Sequence, residues 1–242
     1  MHTSRIAQLA ILAAAISALL FVGAPLLVKL DALESFLGFR LFLLGGAVGL
    51  LALLFGLVSL YTTRRATGRA GRRLAVGAAL IGAAVVGVLG WAATRSGAVP
   101  PINDITTDFA DPPQFVALAE EKANAGRDMK YPGEDFASQQ RTGYPDLAPI
   151  QLSRPPDEAL AAVKTAIEGF GWKIAAVDPA SGRIEATDTS RIWHFVDDIV
   201  VRVRPQDGGA RIDVRSKSRV GRGDVGANAA RIRRLRDALG AA

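Results

Sequence analysis

The sequence predicts three N-terminal transmembrane α-helices followed by a soluble α+β domain, in which two helices cover one face of a four-stranded antiparallel sheet. Three long apolar runs in the first 95 residues predict the helices, and short segments of alternating apolar and polar residues after residue 150 predict the sheet. We divide the chain into a membrane region (1–95), a proline-rich approach segment (96–150) and a soluble α+β domain (151–242).

The apolar runs extend from Ile6 to Val28, from Leu41 to Tyr61 and from Leu74 to Ala93. A bilayer core of about 30 Å requires about 20 apolar residues in a helix, and each run meets that length. The first run is longer than the apolar part of a secretory signal peptide, and Pro25 follows its only small-residue site, so we interpret it as a retained helix.

Arginines between the second and third runs predict the orientation. The loop 62–73 has five arginines and no acidic residue, whereas residues 29–40 have two basic and two acidic side chains. Basic loops stay in the cytoplasm. We therefore expect a multi-pass protein of the inner (plasma) membrane with a cytoplasmic N-terminus and a periplasmic or extracytoplasmic C-terminal domain.

Small residues recur at four-residue spacing in the second and third runs. The pairs are Gly45 with Gly49, Ala78 with Gly82, and Ala83 with Gly87. Such spacing lets helix backbones approach closely in lipid. It is compatible with packing among the three helices of one chain and with a homodimer face.

The approach segment contains repeated prolines and one expected helix, from Pro112 to about Ala125, with capping-box spacing between Asp111 and Gln114. After it we expect a helix, four strands and a helix. Their predicted bounds are Pro156–Phe170, Trp172–Val177, Arg183–Thr189, Ile199–Arg204, Ala210–Ser218 and about Asp224–Leu239. Alternation along the strands predicts one buried face and one solvated face.

Three runs resemble one bacterial family in order along the chain. They are PPINDITTDFADPPQF, GRIEATDTSRIWHFVDDIVVRVRP and RIDVRSKSRVGRGDVGANAARIRRL. Together they resemble the family catalogued as domain of unknown function 1499, over residues 100–240, whose members often carry N-terminal membrane segments. The resemblance implies a domain boundary and no activity, cofactor or catalytic residue.

Basic side chains on the outer face of the sheet form the first candidate site. The predicted ligand-binding residues are Arg202, Arg204, Arg215, Lys217 and Arg219. They form either a solvated face with cross-strand ion pairs to Glu185 and Asp213 or a surface for lipid head groups or an acidic polymer. The eight basic and two acidic residues before Thr94 account for the whole net charge of +6, so the soluble part is formally neutral and does not indicate nucleic-acid binding.

Carboxylates and a histidine between the second and third strands form a weaker candidate for metal binding or acid–base chemistry. They are Asp188, His194, Asp197 and Asp198. Gly221, Gly223 and Gly226 spell GxGxxG, but no parallel strand follows, so a dinucleotide site is not expected. An anion site at that helix start competes with capping by Asp224.

The function that we predict is binding by a membrane-tethered outer domain, with a membrane lipid, an envelope polymer or a protein as partner and no cofactor. The alternatives are an envelope enzyme, such as a hydrolase, centred on His194 and the nearby aspartates, and a scaffold subunit of a membrane complex. The chain has no cysteine, which excludes disulfides, thiolate catalysis and cysteine-ligated metals. The sequence does not decide between binding and catalysis, although binding is favoured.

Overall fold

The structure, a computed structural model, describes residues 3–64, 70–96 and 99–240. The chain forms two compact units. The first comprises Met1–Gly97 with Arg191–His194, and the second comprises Ala98–Ser190 with Phe195–Ala242.

Three helices form the first unit: α1 (Arg5–Lys29), α2 (Ser35–Thr62) and α3 (Arg72–Ser96). All three are long and apolar enough to cross a membrane, which confirms the three predicted helices as candidate membrane spans. The second helix begins six residues before the predicted apolar run, where the Glu34 carboxylate accepts hydrogen bonds from the N–H groups of Phe36 and Leu37. Leucines are exposed along the outer sides of the helices, as expected for side chains that face lipid.

Small residues bring the three helices together. A Cβ at Gly45 would lie 2.8 Å from the Phe21 nitrogen, and one at Gly82 would lie 2.5 Å from the Leu53 nitrogen. Ser17 on α1 also donates a hydrogen bond of 2.7 Å to the Gly45 carbonyl. Gly45 and Gly82 therefore pack within the chain. A Cβ at Gly87, in contrast, would meet nothing within 4 Å.

The second unit contains a six-stranded antiparallel sheet with the order β1-β6-β5-β4-β3 and with β2 also paired to β6. The strands are β1 (Asp104–Thr106), β2 (Ile150–Leu152), β3 (Lys173–Asp178), β4 (Arg183–Thr189), β5 (Val196–Gln206) and β6 (Gly209–Ser218). The helices are α4 (Ala117–Glu120), α5 (Glu134–Gly143), α6 (Pro156–Phe170) and α7 (Ala227–Ala238), with a 3-10 turn at Lys122–Asn124.

The expectation of four strands was wrong. Both additional strands, β1 and β2, have three residues, which is too short for an alternating pattern, and both pair with β6. The helix expected from Pro112 to Ala125 was also wrong, because only Ala117–Glu120 is α-helical there. The Asp111 N–H donates to Asp108, and Gln114 bonds the Pro112 carbonyl, so neither caps a helix. The ten-residue helix α5 was not predicted.

One large apolar cluster forms the core of the second unit. It contains inward residues of β4, β5 and β6, such as Ile184 and Val201, together with Val163 and Ile167 of α6 and Leu235 of α7. Helix α6 has the predicted bounds and ends at Gly171, whose φ of 77° is the left-handed conformation that favours glycine at a helix C-terminus.

The opposite face of the sheet is not solvated, contrary to the alternation-based prediction. Glu185, Asp198, Asp213 and Arg215 on that face are all fully buried. Residues of the proline-rich segment contact Glu185, Asp198 and Arg215. The segment from Asp104 to Tyr131 therefore covers a face that consists largely of charged side chains.

Candidate functional site

The buried charged surface between the sheet and the segment 104–131, which we call the ionic face, includes all five predicted ligand-binding residues. At its centre the fully buried Arg215 forms two hydrogen bonds of 2.8 Å, from Nε and Nη2, to the two oxygens of Asp104. Lys217 Nζ lies 2.9 Å from the same carboxylate. The Arg215 guanidinium also lies over the rings of Phe115 and Tyr131, with centroids at 5.0 and 5.5 Å.

Arg202 and Arg204 lie next to this pair, in a network with Arg211. Each of these arginines contacts Asp108 and Asp213, and Asp111 contacts the first two. Burial alone would raise the pKa of Asp108. Hydrogen bonds from the N–H groups of Asp111 and Ala110, together with the Arg211 charge, nevertheless hold that pKa below its ordinary value.

Arg219 is neutralised in the same way. Its Nε and Nη2 lie 2.8 and 2.6 Å from Asp198 Oδ1, and Nη2 lies 2.9 Å from Glu121. Arg127 also approaches Asp198, at 3.1 Å. Burial opposes the charged form of Arg219, but the Asp198 carboxylate outweighs it and raises the pKa of the guanidinium.

The side chain of Glu185, on the ionic face, binds the backbone of the covering segment. Its fully buried carboxylate accepts hydrogen bonds from the N–H groups of Val116, Ala117 and Leu118, at 2.8 to 3.1 Å. Arg183 Nε balances the charge at 3.2 Å.

The five predicted ligand-binding residues are therefore each paired with an internal carboxylate, which favours a role in holding the fold.

The four residues proposed for metal or acid–base chemistry have different partners. His194 belongs to the first unit, where its Nδ1 lies 3.1 Å from Asp31 Oδ1. Asp188 and Asp197 share Arg231 of α7, and Asp198 lies on the ionic face with Arg219. Burial raises the pKa of Asp197, although Arg231 opposes the shift. Within the described ranges, no group of three or more metal-ligating side chains is present.

The glycine-rich loop before α7 is a cap and not a free anion site. Asp224 accepts hydrogen bonds from the N–H groups of Gly226 and Asn228, at 2.8 and 2.7 Å. Its carboxylate thus occupies the donors that an anion would need. The helix begins three residues later than predicted, because Gly226 adopts a φ of 84° at the N-cap.

The model of the family described as "Protein of unknown function (DUF1499)" matches residues 104–239, which is more than half of the chain. The chain belongs to the DUF1499 family. No curated protein matches the chain. The DUF1499 region starts at Asp104 and therefore includes both sides of the ionic face.

The DUF1499 region also contains a groove of about 620 Å³. It lies between α6, the turn that joins β3 to β4, and the end of β5. Apolar residues predominate in its lining, which is formed by Pro156, Leu160, Ala161, Val177, Pro179, Ala180, Gly182, Val203 and Pro205, with Asp157, Lys164, Ser181 and Arg204 as the polar members. Its volume falls within the range of about 300 to 1,000 Å³ that is usual for small-ligand sites.

The sequence analysis did not identify Asp104, Asp108 and Arg127, which the proline-rich segment contributes to the ionic face, or Arg231 of α7, which pairs with Asp188 and Asp197. The segment has no periodicity that would place its side chains, but the equal numbers of acidic and basic residues after Thr94 were a signal of internal pairing. Arg231 lies between Asn228 and Ile232 on the buried side of its helix, a position that indicated a buried cation.

Proposed function

We propose that this DUF1499 protein is a membrane-anchored lipid-binding protein, whose second unit holds one anionic lipid in the groove beside α6. The observation that carries the proposal is the predominantly apolar lining of a ligand-sized groove in a chain with three candidate membrane spans. An acyl chain would remove that apolar surface from water. In this proposal α6 and α7 cover the apolar face of the sheet, and the ionic face is structural.

Lys164 supports an anionic head group over a neutral one. It lines the groove, and its ion pair is with Glu168, four residues along the same exposed helix surface. Exposed pairs of this kind are worth only about 0.3–0.5 kcal/mol. A phosphate or carboxylate on the ligand would therefore displace Glu168 at small cost. Arg204 contributes less, because Asp108, Asp111 and Asp213 already engage it.

The proposal includes the expected location in the inner (plasma) membrane, with the second unit on the periplasmic or extracytoplasmic side. The five arginines of the loop 62–73 support this orientation. Residues 65–69 of that loop lie outside the described residues.

Photocrosslinking of the full chain tests the proposal. The protein is reconstituted in bilayer nanodiscs that contain phosphatidylglycerol with a photoreactive group in its acyl chain, and crosslinked peptides are mapped by mass spectrometry. We expect crosslinks in residues 156–164, 177–182 and 203–205. Crosslinks confined to the three apolar helices would refute lipid binding by the second unit.

Matched variants on α6 sharpen the test. Ala161→Trp places a large ring in the groove from an exposed position and should abolish those crosslinks, whereas Thr165→Trp, one turn away and outside the groove, should not. Lys164→Gln should weaken crosslinking of phosphatidylglycerol more than that of a phosphatidylcholine probe. Equal loss in both tryptophan variants would assign the effect to the helix and contradict the groove.

The two alternative functions receive less support. For the enzyme centred on His194, that histidine pairs with Asp31, and Asp188 and Asp197 are both paired with Arg231. For the scaffold, Gly45 is already engaged by α1, so only the exposed pair Ala83 and Gly87 stays as a predicted homodimer face.

A further inference from the structure

Two valines and one arginine are exposed in the connection between β6 and α7, residues 220–225, which we call the β6–α7 loop. Val220 is 40% exposed and Val225 is 63% exposed. Arg222 lies between them in the chain, and over the residues that the structure describes no carboxylate forms an ion pair with it. Exposed apolar side chains beside an unpaired cation are typical of a surface that contacts a membrane.

The backbone of Val225 is a second, independent observation. Its φ of 56° lies in the left-handed region, which β-branched residues rarely adopt. Glycine or asparagine would adopt this conformation at lower cost. Because the valine is also largely exposed, neither backbone preference nor packing within the described residues accounts for an apolar side chain here. Removal of that side chain from water by a bilayer would account for it.

The β6–α7 loop is held against the segment that follows α3. The side-chain Nδ2 of Asn103 donates a hydrogen bond of 2.6 Å to the Gly221 carbonyl. The loop also approaches the backbone of that segment closely, since a Cβ at Gly223 would lie 3.2 Å from the Pro101 Cα. The loop and the segment 101–103 therefore move as one piece.

This segment is joined to a candidate membrane span by a short stretch of chain. Helix α3 ends at Ser96, and Pro101 follows five residues later, so the two are at most about 18 Å apart along a fully extended chain. The β6–α7 loop is thus tethered close to the bilayer surface where α3 ends. A tethered group has a high effective concentration at its target, so even a weak contact would be populated.

We propose that the β6–α7 loop rests on the bilayer in which the chain's own helices lie, with Val220 and Val225 among the lipid head groups and Arg222 at the lipid phosphates. Burial of apolar side chains and attraction of a cation to anionic lipid both stabilise interfacial segments of this kind. This contact goes beyond the proposed function, because none of these three residues lines the groove beside α6. Failure of either proposal therefore leaves the other standing.

The test uses single cysteines in the full chain, which has none of its own. Val220→Cys and Val225→Cys each carry a nitroxide label, in nanodiscs of phosphatidylglycerol and phosphatidylcholine with one chain per disc. Electron paramagnetic resonance then measures collisions of the label with oxygen, which concentrates in the bilayer, and with a nickel chelate, which stays in water. We expect both labels to be accessible to oxygen and shielded from nickel.

Ser153→Cys is the matched control at the other end of the same strand. Ser153 is exposed and follows Leu152, which pairs with Ala210 at the start of β6. The eight residues from Ala210 to Ser218 extend for about 27 Å along the strand. The label at position 153 should therefore be open to nickel. Equal nickel access at all three positions, whether high or low, would refute the contact.

A second pair of variants tests the role of the arginine. Arg222→Gln, in the chain labelled at position 225, should raise nickel access about twofold or more, because the cation no longer holds the loop at the anionic surface. Arg154→Gln makes the same charge change at an exposed residue beside Ser153 and should leave nickel access unchanged. Equal effects of the two substitutions would overturn the assignment of Arg222 to the lipid phosphates.

Discussion

Removal of the Asp104 carboxylate should be among the most destabilising single changes in the second unit. Asp104 is fully buried and is the ion-pair partner of both Arg215, also fully buried, and Lys217. Asp104→Asn keeps the size of the side chain but leaves these two cations without their carboxylate. Breaking a buried ion pair by changing one partner costs about 3–5 kcal/mol, because the remaining charge stays desolvated.

This cost should be visible as a large shift in thermal stability. A loss of about 1 kcal/mol lowers the midpoint by about 2–4 °C in a domain of 150–250 residues, so Asp104→Asn should lower it by about 6–20 °C. The assay is thermal unfolding of the purified full chain in detergent, followed by the β-sheet circular dichroism signal. Glu134→Gln is the matched control, because its ion pair with Arg141 is exposed and should be worth about 1 kcal/mol or less.

A double variant separates the pair from the packing around it. Asp104→Asn combined with Arg215→Met removes the fully buried one of the two unpaired cations, so the double variant should be more stable than Asp104→Asn alone. If Asp104→Asn costs no more than Glu134→Gln, the buried charge is not the reason for the pairing and the structural account of the ionic face fails.

Four further predictions address other parts of the molecule. Glu185→Gln removes one of the oxygens that accept hydrogen bonds from three backbone N–H groups of the covering segment. Hydrogen exchange should become faster in residues 116–124 while α6 stays protected. Unchanged exchange would refute the role of Glu185 in holding that segment. Asp108 and Asp197 should differ in the pH dependence of the stability that they contribute. The depressed pKa of Asp108 gives stability that is present above its unfolded pKa, near about 4, and is lost as pH falls through the folded value. Asp108→Asn should therefore cost most stability at neutral pH and least in acid. The raised pKa of Asp197 gives stability that is present below the unfolded pKa and is lost as pH rises through the folded value. Asp197→Asn should therefore gain stability relative to the wild type over that rise. Parallel profiles of stability against pH for the two variants, measured by denaturant unfolding, would contradict both assignments. In the first unit, Gly82→Leu should destabilise the helix bundle and Gly87→Leu should not. A Cβ at Gly82 would meet the α2 backbone at 2.5 Å, whereas one at Gly87 would meet nothing within 4 Å. Equal stability of the two variants to unfolding in detergent would refute the packing. An alkaline phosphatase fusion after Leu239 should be active and one at Thr67, outside the described residues, inactive; the reverse pattern would overturn the orientation.

Periodicity along the sequence was sufficient to predict the elements that pack against apolar partners. The three candidate spans follow from the length of their apolar runs, and α6 and β4 have the predicted bounds. Burial of an apolar side chain requires no particular partner, so a repeat of 3.6 or 2 residues is sufficient to indicate the face that it occupies. Membership of the DUF1499 family was likewise indicated by residues alone.

Only the tertiary structure decided what the charged residues do. Arg215 is separated from Asp104 by 111 positions along the chain, and Glu185 from Val116 by 69, so no local pattern indicates that they meet. Alternation predicted that Arg202, Arg204 and Arg215 leave the apolar face, which is correct. The further prediction that this second face is solvated was wrong, because alternation does not show what covers a face. The sheet has a buried polar face because the proline-rich segment supplies carboxylates and backbone groups at the positions where desolvated arginines need them.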